Sequence, residues 1–426
     1  MHYGWAIVAA SAVTFAIASS TTHTYPVFLV ALVSQFGWSR ASVAGVMSIA
    51  RVLSGLLSPA LGRLVDKLGP RKMMGVGAIL VAAGYLASSQ VTDLWQFYVV
   101  YSLFIFIGTM CIGSLSILTI LNQWFMKRKG LAIGLTDVGT GLGVLLFVPL
   151  TGFIVSGGGW RWAYATLALL TIVIVPVALL FQRNRPADKG LAPYGATAAN
   201  STASETAAAT QSSGDPPQTQ KQWTIGEALS SNRFWLLFVA QTFGPLGVMV
   251  VTMHEVAMLV DIGYEPMIAA AIFSLTGPTG MVGRFVVPTM SDRFGRHNIY
   301  ILATSGIIVG TATLAFLSRG SPSWLPYVAT IIFGMTYATE GPLIGAAAGD
   351  LFRSRSFGTI YGVLLVGQGI GSAFGAWQAG YLFDTTGSYT VAFLVGAASL
   401  AISACCYWLA VSPRRLKPVL AHRGIR

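Results

Sequence analysis

Apolar stretches of about 20 residues, enough to cross a bilayer core as helices, recur twelve times along the chain. They fall at 6–33, 42–62, 73–92, 95–120, 130–154, 162–182, 232–258, 267–290, 298–318, 324–346, 357–380 and 389–411. Short polar loops separate them, apart from one long polar run from Arg183 to Ser231 that leaves six stretches on each side. The core of that run, Thr197 to Gln222, consists of Ala, Ser, Thr, Gln and Pro without apolar periodicity, too polar to bury a core. The pattern predicts an all-α integral membrane protein: a six-helix bundle at 1–185, a largely disordered cytoplasmic linker at 186–230, a second bundle at 231–413 and a cytoplasmic tail at 414–426.

The two halves share a phrase. Asp66-Lys-Leu-Gly-Pro-Arg71-Lys72 returns as Asp292-Arg-Phe-Gly-Arg296-His297, 226 residues later (292 − 66), each copy between two apolar stretches. Phe125 and Arg128 match Phe352 and Arg355, Gly134 matches Gly362, and Gly159 matches Gly387, at nearly the same offset. A near-constant offset through several loops means two homologous halves in the same orientation, related by a pseudo-twofold axis. In a membrane protein that arrangement points to a carrier whose halves rock about a central site.

Composition supports the membrane reading: 54% of residues are hydrophobic and 9% charged, against roughly 25% charged in a soluble domain. The net charge of +12 is spread over short loops without a basic stripe, which argues against nucleic acid. Of the 26 basic residues, only Arg40, Arg161 and Arg319 fall in loops opposite the repeated phrase, and only Arg51 and Arg284 fall more than a turn inside a span. The positive-inside rule then puts both termini in the cytoplasm, and the expected location is the cell's inner (plasma) membrane. The first span is too long for the apolar region of a signal peptide and has no small-residue cleavage site. Cys111, Cys405 and Cys406 lie within apolar segments and read as free, packing thiols. No nucleophile–base set, metal-ligand cluster or phosphate loop is evident, so an enzyme, a cofactor and a bound metal are not expected.

The phrase Gly62-Arg-Leu-Val-Asp66-Lys-Leu-Gly69-Pro-Arg71-Lys72 resembles the signature loop between helices 2 and 3 of the major facilitator superfamily. Gly139-Thr-Gly141-Leu-Gly143 through Pro149 to Gly159-Trp160-Arg161, with Trp38-Ser39, Phe234-Trp235 and Tyr361-Gly362, resembles the monocarboxylate transporter and oxalate:formate antiporter branch. The resemblance implies twelve helices in two bundles working by alternating access. It also implies a cytoplasmic gate loop formed by Gly62, Asp66, Arg71, Asp292 and Arg296. The alternative is that the basic residues of the phrase only enforce topology.

Each ionisable group within a span costs about 2.5–3.5 kcal/mol on insertion scales and needs a reason. Arg51 shares a small, polar face with Ser48, Gly55 and Ser58, suited to anion recognition, gate pairing or a structural ion pair. Arg284 matches the helix 8 arginine that holds the substrate carboxylate in the monocarboxylate family, although Gly280 stands where animal members have an aspartate. A guanidinium suits a carboxylate through two parallel hydrogen bonds. Asp137, at similar depth in the fifth span, is the candidate partner of Arg284, pairing when the inner gate closes. Glu340, on the Tyr337 face, is a candidate proton carrier or a structural group. His23, beside Thr21, Thr22 and a kink at Pro26, is a candidate cavity residue. His254, beside Glu255, is a proton-coupling or gate candidate or simply a solvated helix end. Tyr361 and Gln368 offer a phenol and an amide to a substrate, while Tyr98 and Tyr101 read as an aromatic belt.

The expected substrate is a small organic anion, a mono- or dicarboxylate, with an aromatic body in keeping with the 12% aromatic content. Proton symport is the first expected coupling and exchange against another anion the second, in a protein working as a monomer. A drug or neutral-solute exporter of the same fold is the rival. Projected through the repeat, Arg51 falls opposite Pro278, Asp137 opposite Leu365, Arg284 opposite Ser58 and Glu340 opposite Gly113. The candidate chemistry sits where the halves differ.

Overall fold

A computed structural model describes residues 2–195, 223–338, 340–352 and 357–411. For Gly55, Pro59, Asp66, Pro288, Thr289, Ser291, Asp292, Arg296, Pro342 and Gly358 it describes the backbone alone. Twelve helical rods make up the described bundle. The first six are α1 (Gly4–Phe36), α2 (Arg40–Leu68), α3 (Pro70–Ser88), α4 (Leu94–Trp124), α5 (Lys129–Gly158) and α6 (Trp160–Leu180). The second six are α7 (Asn232–Asp261), α8 (Pro266–Ser274 and Thr276–Phe294), α9 (Arg296–Ala315), α10 (Leu325–Tyr337 and Glu340–Leu351), α11 (Phe357–Thr386) and α12 (Thr390–Val411). Ten are long and apolar enough to cross a membrane by length and composition. The other two are α3, which opens on Pro70-Arg71-Lys72, and α10, which is broken in two.

The sequence repeat is also a repeat of backbone geometry. Gly69 (φ +84°) and Gly295 (φ +86°) each link two rods in a conformation that side chains disfavour, as do Gly159 (φ +88°) and Gly387 (φ +72°). Helix contacts repeat as well. In the first half α1 lies against α5, where a Cβ on Gly139 would stand 2.0 Å from the Ala12 carbonyl oxygen and one on Gly143 2.1 Å from that of Ala16. In the second half α7 lies against α11, where the corresponding atoms on Gly367 and Gly371 would meet the carbonyl oxygens of Phe238 at 3.2 Å and Thr242 at 1.8 Å. Small residues let backbones approach closely where no hydrophobic force drives helices together in lipid.

The halves meet along α2 with α11 and α5 with α8. Gly141 and Gly277 bring α5 and α8 backbone to backbone, each Cβ position lying within 2.8 Å of the other's carbonyl oxygen. Several rods break near the centre. In α1 the break is at Thr24, because Pro26 offers no backbone donor. In α4 the helix widens to a π-helix over Val100–Phe106 and then breaks at Gly113.

Aromatic positions in α4 correct the expected belt. Tyr101 is buried, donating to the Thr21 carbonyl at 2.5 Å, and half-buried Tyr98 donates to the Ser42 carbonyl at 2.8 Å. Both hydroxyls find backbone acceptors inside the first half, which a residue at the lipid interface would not need. Among the cysteines, Cys111 is buried, Cys406 half-buried and Cys405 exposed, all free. The two described ends of the polar run also pack. Tyr194 bonds to Trp124 and Lys127 backbone, and Trp223 lies edge-on to Phe352. The run's core lies outside the described residues, as does the tail.

Candidate functional site

A cavity of about 660 Å³ lies between the halves. The first half contributes Ser19, Thr22 and His23 from α1, Arg51, Ser54 and Ser58 from α2, Phe106 and Thr109 from α4, and Asp137 and Thr140 from α5. The second half contributes Met249, Thr252 and Met253 from α7, Arg284 from α8, Tyr337 from α10 and Gln368 from α11. A second space of about 400 Å³ shares Phe15, Ser114, Asp137 and Arg284 with it and extends past Gly134 to Gly130. The opening therefore runs toward the end that carries the repeated phrase, here the basic end.

The far end is sealed across the halves. Arg40, opening α2, forks onto Asp261 of α7 at 2.6 and 2.8 Å and donates to the Tyr389 hydroxyl at 2.8 Å. Its guanidinium stacks 3.7 Å from the Phe383 ring centroid. Asp384, in the last turn of α11, accepts from the backbone N–H of Arg40 at 3.0 Å and of Ala41 at 2.8 Å, capping α2 from the other half. Nearer the centre, Ser48 donates to the Ala373 carbonyl, again across α2 and α11. Replacing Arg40 by Ala together with Asp384→Asn should raise, several-fold, the labelling of a Ser48→Cys probe by an impermeant thiol reagent applied from the Arg40 face. Unchanged labelling would reduce the cluster to packing.

The structure brings together most of the residues singled out in the sequence. Asp137 and Arg284 form an ion pair across the halves, with side chains about one-third exposed to the cavity. The pair forms while the Arg40 seal is closed and the cavity runs toward the basic end, so it does not mark closure of that end. Arg51 reaches the same cavity from α2. Among the described residues it has no ion-pair partner, its Nε is buried without an acceptor, and its guanidinium lies 5.5 Å from the Phe106 ring centroid. His23 bonds through Nδ1 to the Ser19 carbonyl at 2.9 Å. Tyr337, stacked on Phe333, and Gln368 complete the polar lining.

Three candidates are elsewhere. Glu340 is buried inside the second half, its Oε1 receiving the Tyr300 hydroxyl at 3.3 Å and Ser403 at 3.4 Å. The break after Tyr337 removes the i, i+3 relation that put Glu340 on the cavity face. Gly244 leaves the room it fills, since a Cβ there would stand 1.5 Å from Oε1. Glu340→Gln should leave the pH dependence of transport unchanged, and a loss of that dependence would return the residue to a coupling role. Tyr361 stacks on Phe357 and turns its hydroxyl toward Gly345 of α10, so it packs in the second half. His254 is fully buried, because α7 continues to Asp261. Its Nε2 donates to the Ala376 carbonyl at 2.9 Å and its Nδ1 accepts from Tyr389 at 3.0 Å, which places it behind the Arg40 seal and not at a solvated helix end.

In the gate phrase, Arg71 binds the Ala178 and Leu179 carbonyls, and its backbone N–H donates to Asn184 at 3.0 Å, all within the first half. Gly62 has open space around it. The side chains of Asp66, Asp292 and Arg296 lie outside the described residues. Sequence reasoning missed the Arg40 seal. The signal was available: Asp261 and Asp384 end two spans of the second half on the side where Arg40 opens a span of the first. It also missed Phe106 and the methionines of α7, which look like any apolar helix residue.

A family model described as Major Facilitator Superfamily matches residues 10–376. The chain belongs to the major facilitator superfamily. Monocarboxylate transporter 13 of Rattus norvegicus is 27% identical over 399 residues, covering 93% of this chain and 86% of that protein. The oxalate:formate antiporter of Oxalobacter formigenes is 23% identical over 406 residues, covering 90% and 89%. These relatives agree with the branch resemblance read from the fifth span, and they are membrane transporters, not enzymes. Among solved structures, a D-xylose-proton symporter has a TM-score of 0.72 at 14% identity, covering 96% of this chain and 98% of that one. The nucleoside transporter NupG has a TM-score of 0.69 at 14% identity, covering 97% and 100%. Those two likenesses establish the fold alone. The protein is a multi-pass membrane transporter of this superfamily.

Proposed function

We propose that the chain carries a small organic anion, a mono- or dicarboxylate, by alternating access. The observation that carries this reading is the charge converging on one cavity: Arg51 and Arg284 against Asp137. Arg284 is already paired, so among the described lining residues Arg51 is the cation left for an incoming carboxylate, which a guanidinium can hold through two parallel hydrogen bonds. Phe106, Met249 and Met253 offer an apolar or aromatic body its contacts. The names of the relatives, a monocarboxylate transporter and an oxalate:formate antiporter, support the same substrate class.

Exchange of anions is favoured over proton symport by Arg51. An empty cavity with that arginine unpaired carries one excess positive charge among its described lining residues. Closing both ends around it removes that charge from water, at a cost that a bound monoanion offsets. The seal and the cavity then alternate: the Arg40 network opens as the basic end closes. The basic end is the cytoplasmic one by the positive-inside rule, both termini lie there, and the membrane is the cell's inner membrane. A monomeric carrier is in keeping with a cavity whose described lining residues come from both halves of one chain.

A thermal-shift screen of the purified protein tests the substrate class, since a ligand that binds the folded state stabilises it by mass action, about 2.7 kcal/mol at a hundred times Kd. Carboxylates should raise the midpoint, whereas neutral sugars and organic cations should not. Stabilisation by cations alone would favour the exporter reading.

A further inference from the structure

His23 is the lining residue placed to change the charge of this cavity. A backbone carbonyl can only accept, so the bond from Nδ1 to the Ser19 oxygen at 2.9 Å fixes the neutral ring with its proton on Nδ1. Nε2 keeps a free lone pair, and the residue lines the cavity. The charged and titratable groups around it are few. Arg51 approaches from α2, Arg284 and Asp137 from α8 and α5 as an ion pair, and Tyr337 from α10. From α4, Tyr101 holds the Thr21 carbonyl two residues away. The lining residues of α7 (Val248, Met249, Thr252, Met253) and α11 (Gln368) carry no charge.

Counting the described lining residues, Arg51 and Arg284 against Asp137 give +1 with His23 neutral (2 − 1) and +2 with His23 protonated. Occlusion between the halves takes that sum out of water, so the state that crosses is the one whose cargo cancels it. We infer that His23 matches the cavity to the charge of its cargo. A carboxylate monoanion crosses with His23 neutral, and a dianion crosses together with a proton on His23 Nε2. The inference rests on the organic-anion reading above and adds a rule to it.

The proton balance is simple. Nε2 takes a proton from water at the end where the dianion enters and returns it to water where the dianion leaves. No other bond forms or breaks. The dianion plus one proton moves a single negative charge, the same as a monoanion, so exchange of one for the other is electroneutral and carries one proton with the dianion. In the empty cavity the proton joins a sum of +1 among the described lining residues, whereas with a dianion bound it joins a sum of −1 (1 − 2). Proton and dianion therefore bind cooperatively, and by linkage each strengthens the other. Arg51 and Arg284 stay cationic and Asp137 is engaged by Arg284, so among the described lining residues the imidazole is the group placed to adjust the sum.

The test uses the full-length protein in liposomes, with labelled lactate and oxalate and a wider panel of monocarboxylates and of dicarboxylates whose second carboxyl stays ionised, between about pH 5.5 and pH 7.5. The ratio of dianion to monoanion exchange should rise several-fold toward the acid end, and a dianion–monoanion exchange should acidify the compartment that receives the dianion. The rates should not respond to an imposed membrane potential. His23→Gln, whose amide can still donate to the Ser19 carbonyl, should flatten that pH dependence and lower the ratio at least tenfold, whatever the overall rate. A ratio independent of pH in the wild type, monoanion exchange without dianion exchange, or a His23→Gln variant with the native pH profile would each overturn the inference while leaving the organic-anion reading intact. Failure to exchange any carboxylate would remove both.

Discussion

Gly371→Ala should lower the unfolding midpoint of the purified protein by roughly 6–12 °C. The new Cβ would stand 1.8 Å from the Thr242 carbonyl oxygen, a backbone atom of α7 that cannot swing aside. Overpacking costs about 1–3 kcal/mol, with the upper end expected where backbone must move. For a unit of about 200 residues, each kcal/mol shifts the midpoint by roughly 2–4 °C. Gly362→Ala is the control on the same helix. Nothing lies within 4 Å of its Cβ position, and alanine favours the helix by up to about 1 kcal/mol. Equal midpoints for the two variants, read by light scattering or intrinsic fluorescence, would contradict the close α7–α11 contact.

Asp137→Asn should reduce transport of a monoanion by roughly 5- to 150-fold. It leaves Arg284 without its partner and raises the empty cavity from +1 to +2 among the described lining residues. Breaking a fully buried pair costs about 3–5 kcal/mol and an exposed pair about 0–1 kcal/mol. Side chains about one-third exposed place this pair between those limits, at about 1–3 kcal/mol. Adding Arg284→Gln restores the cavity to +1 through Arg51 alone, so the double variant should recover part of the lost rate. Arg284→Gln by itself leaves the sum at zero and should weaken anion binding. A double variant no better than Asp137→Asn alone would remove the pair from the mechanism.

The architecture was legible because the signals behind it are strong and repeated. Twelve apolar runs, a polar break after the sixth and a phrase returning at a fixed offset specify two parallel halves. Arg51, Asp137 and Arg284 were legible because ionisable residues in a span need polar surroundings, and here one cavity supplies them. Glu340 obeys the same rule by another route: Tyr300 and Ser403 satisfy it inside the second half. Sequence marks such a carboxyl as buried without telling a cavity from a packed interior.

Tyr361 as a lining residue and the solvated-end alternative for His254 failed for local reasons. A helical face was assigned without knowing which neighbour it meets, and α7 proved longer than its apolar pattern. The repeat itself needed a sharper reading. Gly134 and Gly362 revealed the register, yet the glycines on which the α1–α5 and α7–α11 contacts depend are Gly139 and Gly143 with their counterparts Gly367 and Gly371. A packing glycine and an incidental one look alike in sequence.

Substrate recognition depends most on Arg51, the cavity cation without an ion-pair partner among the described residues. Counterflow of a labelled carboxylate in liposomes, comparing wild type with Arg51→Gln, tests it most directly. Wild-type uptake should be saturable and should require an anion on the opposite side. Loss of a bidentate, charge-assisted contact worth about 1.5–3 kcal/mol should cut uptake by roughly 10- to 150-fold in Arg51→Gln, with partial recovery in Arg51→Lys. Undiminished counterflow in Arg51→Gln would contradict the account.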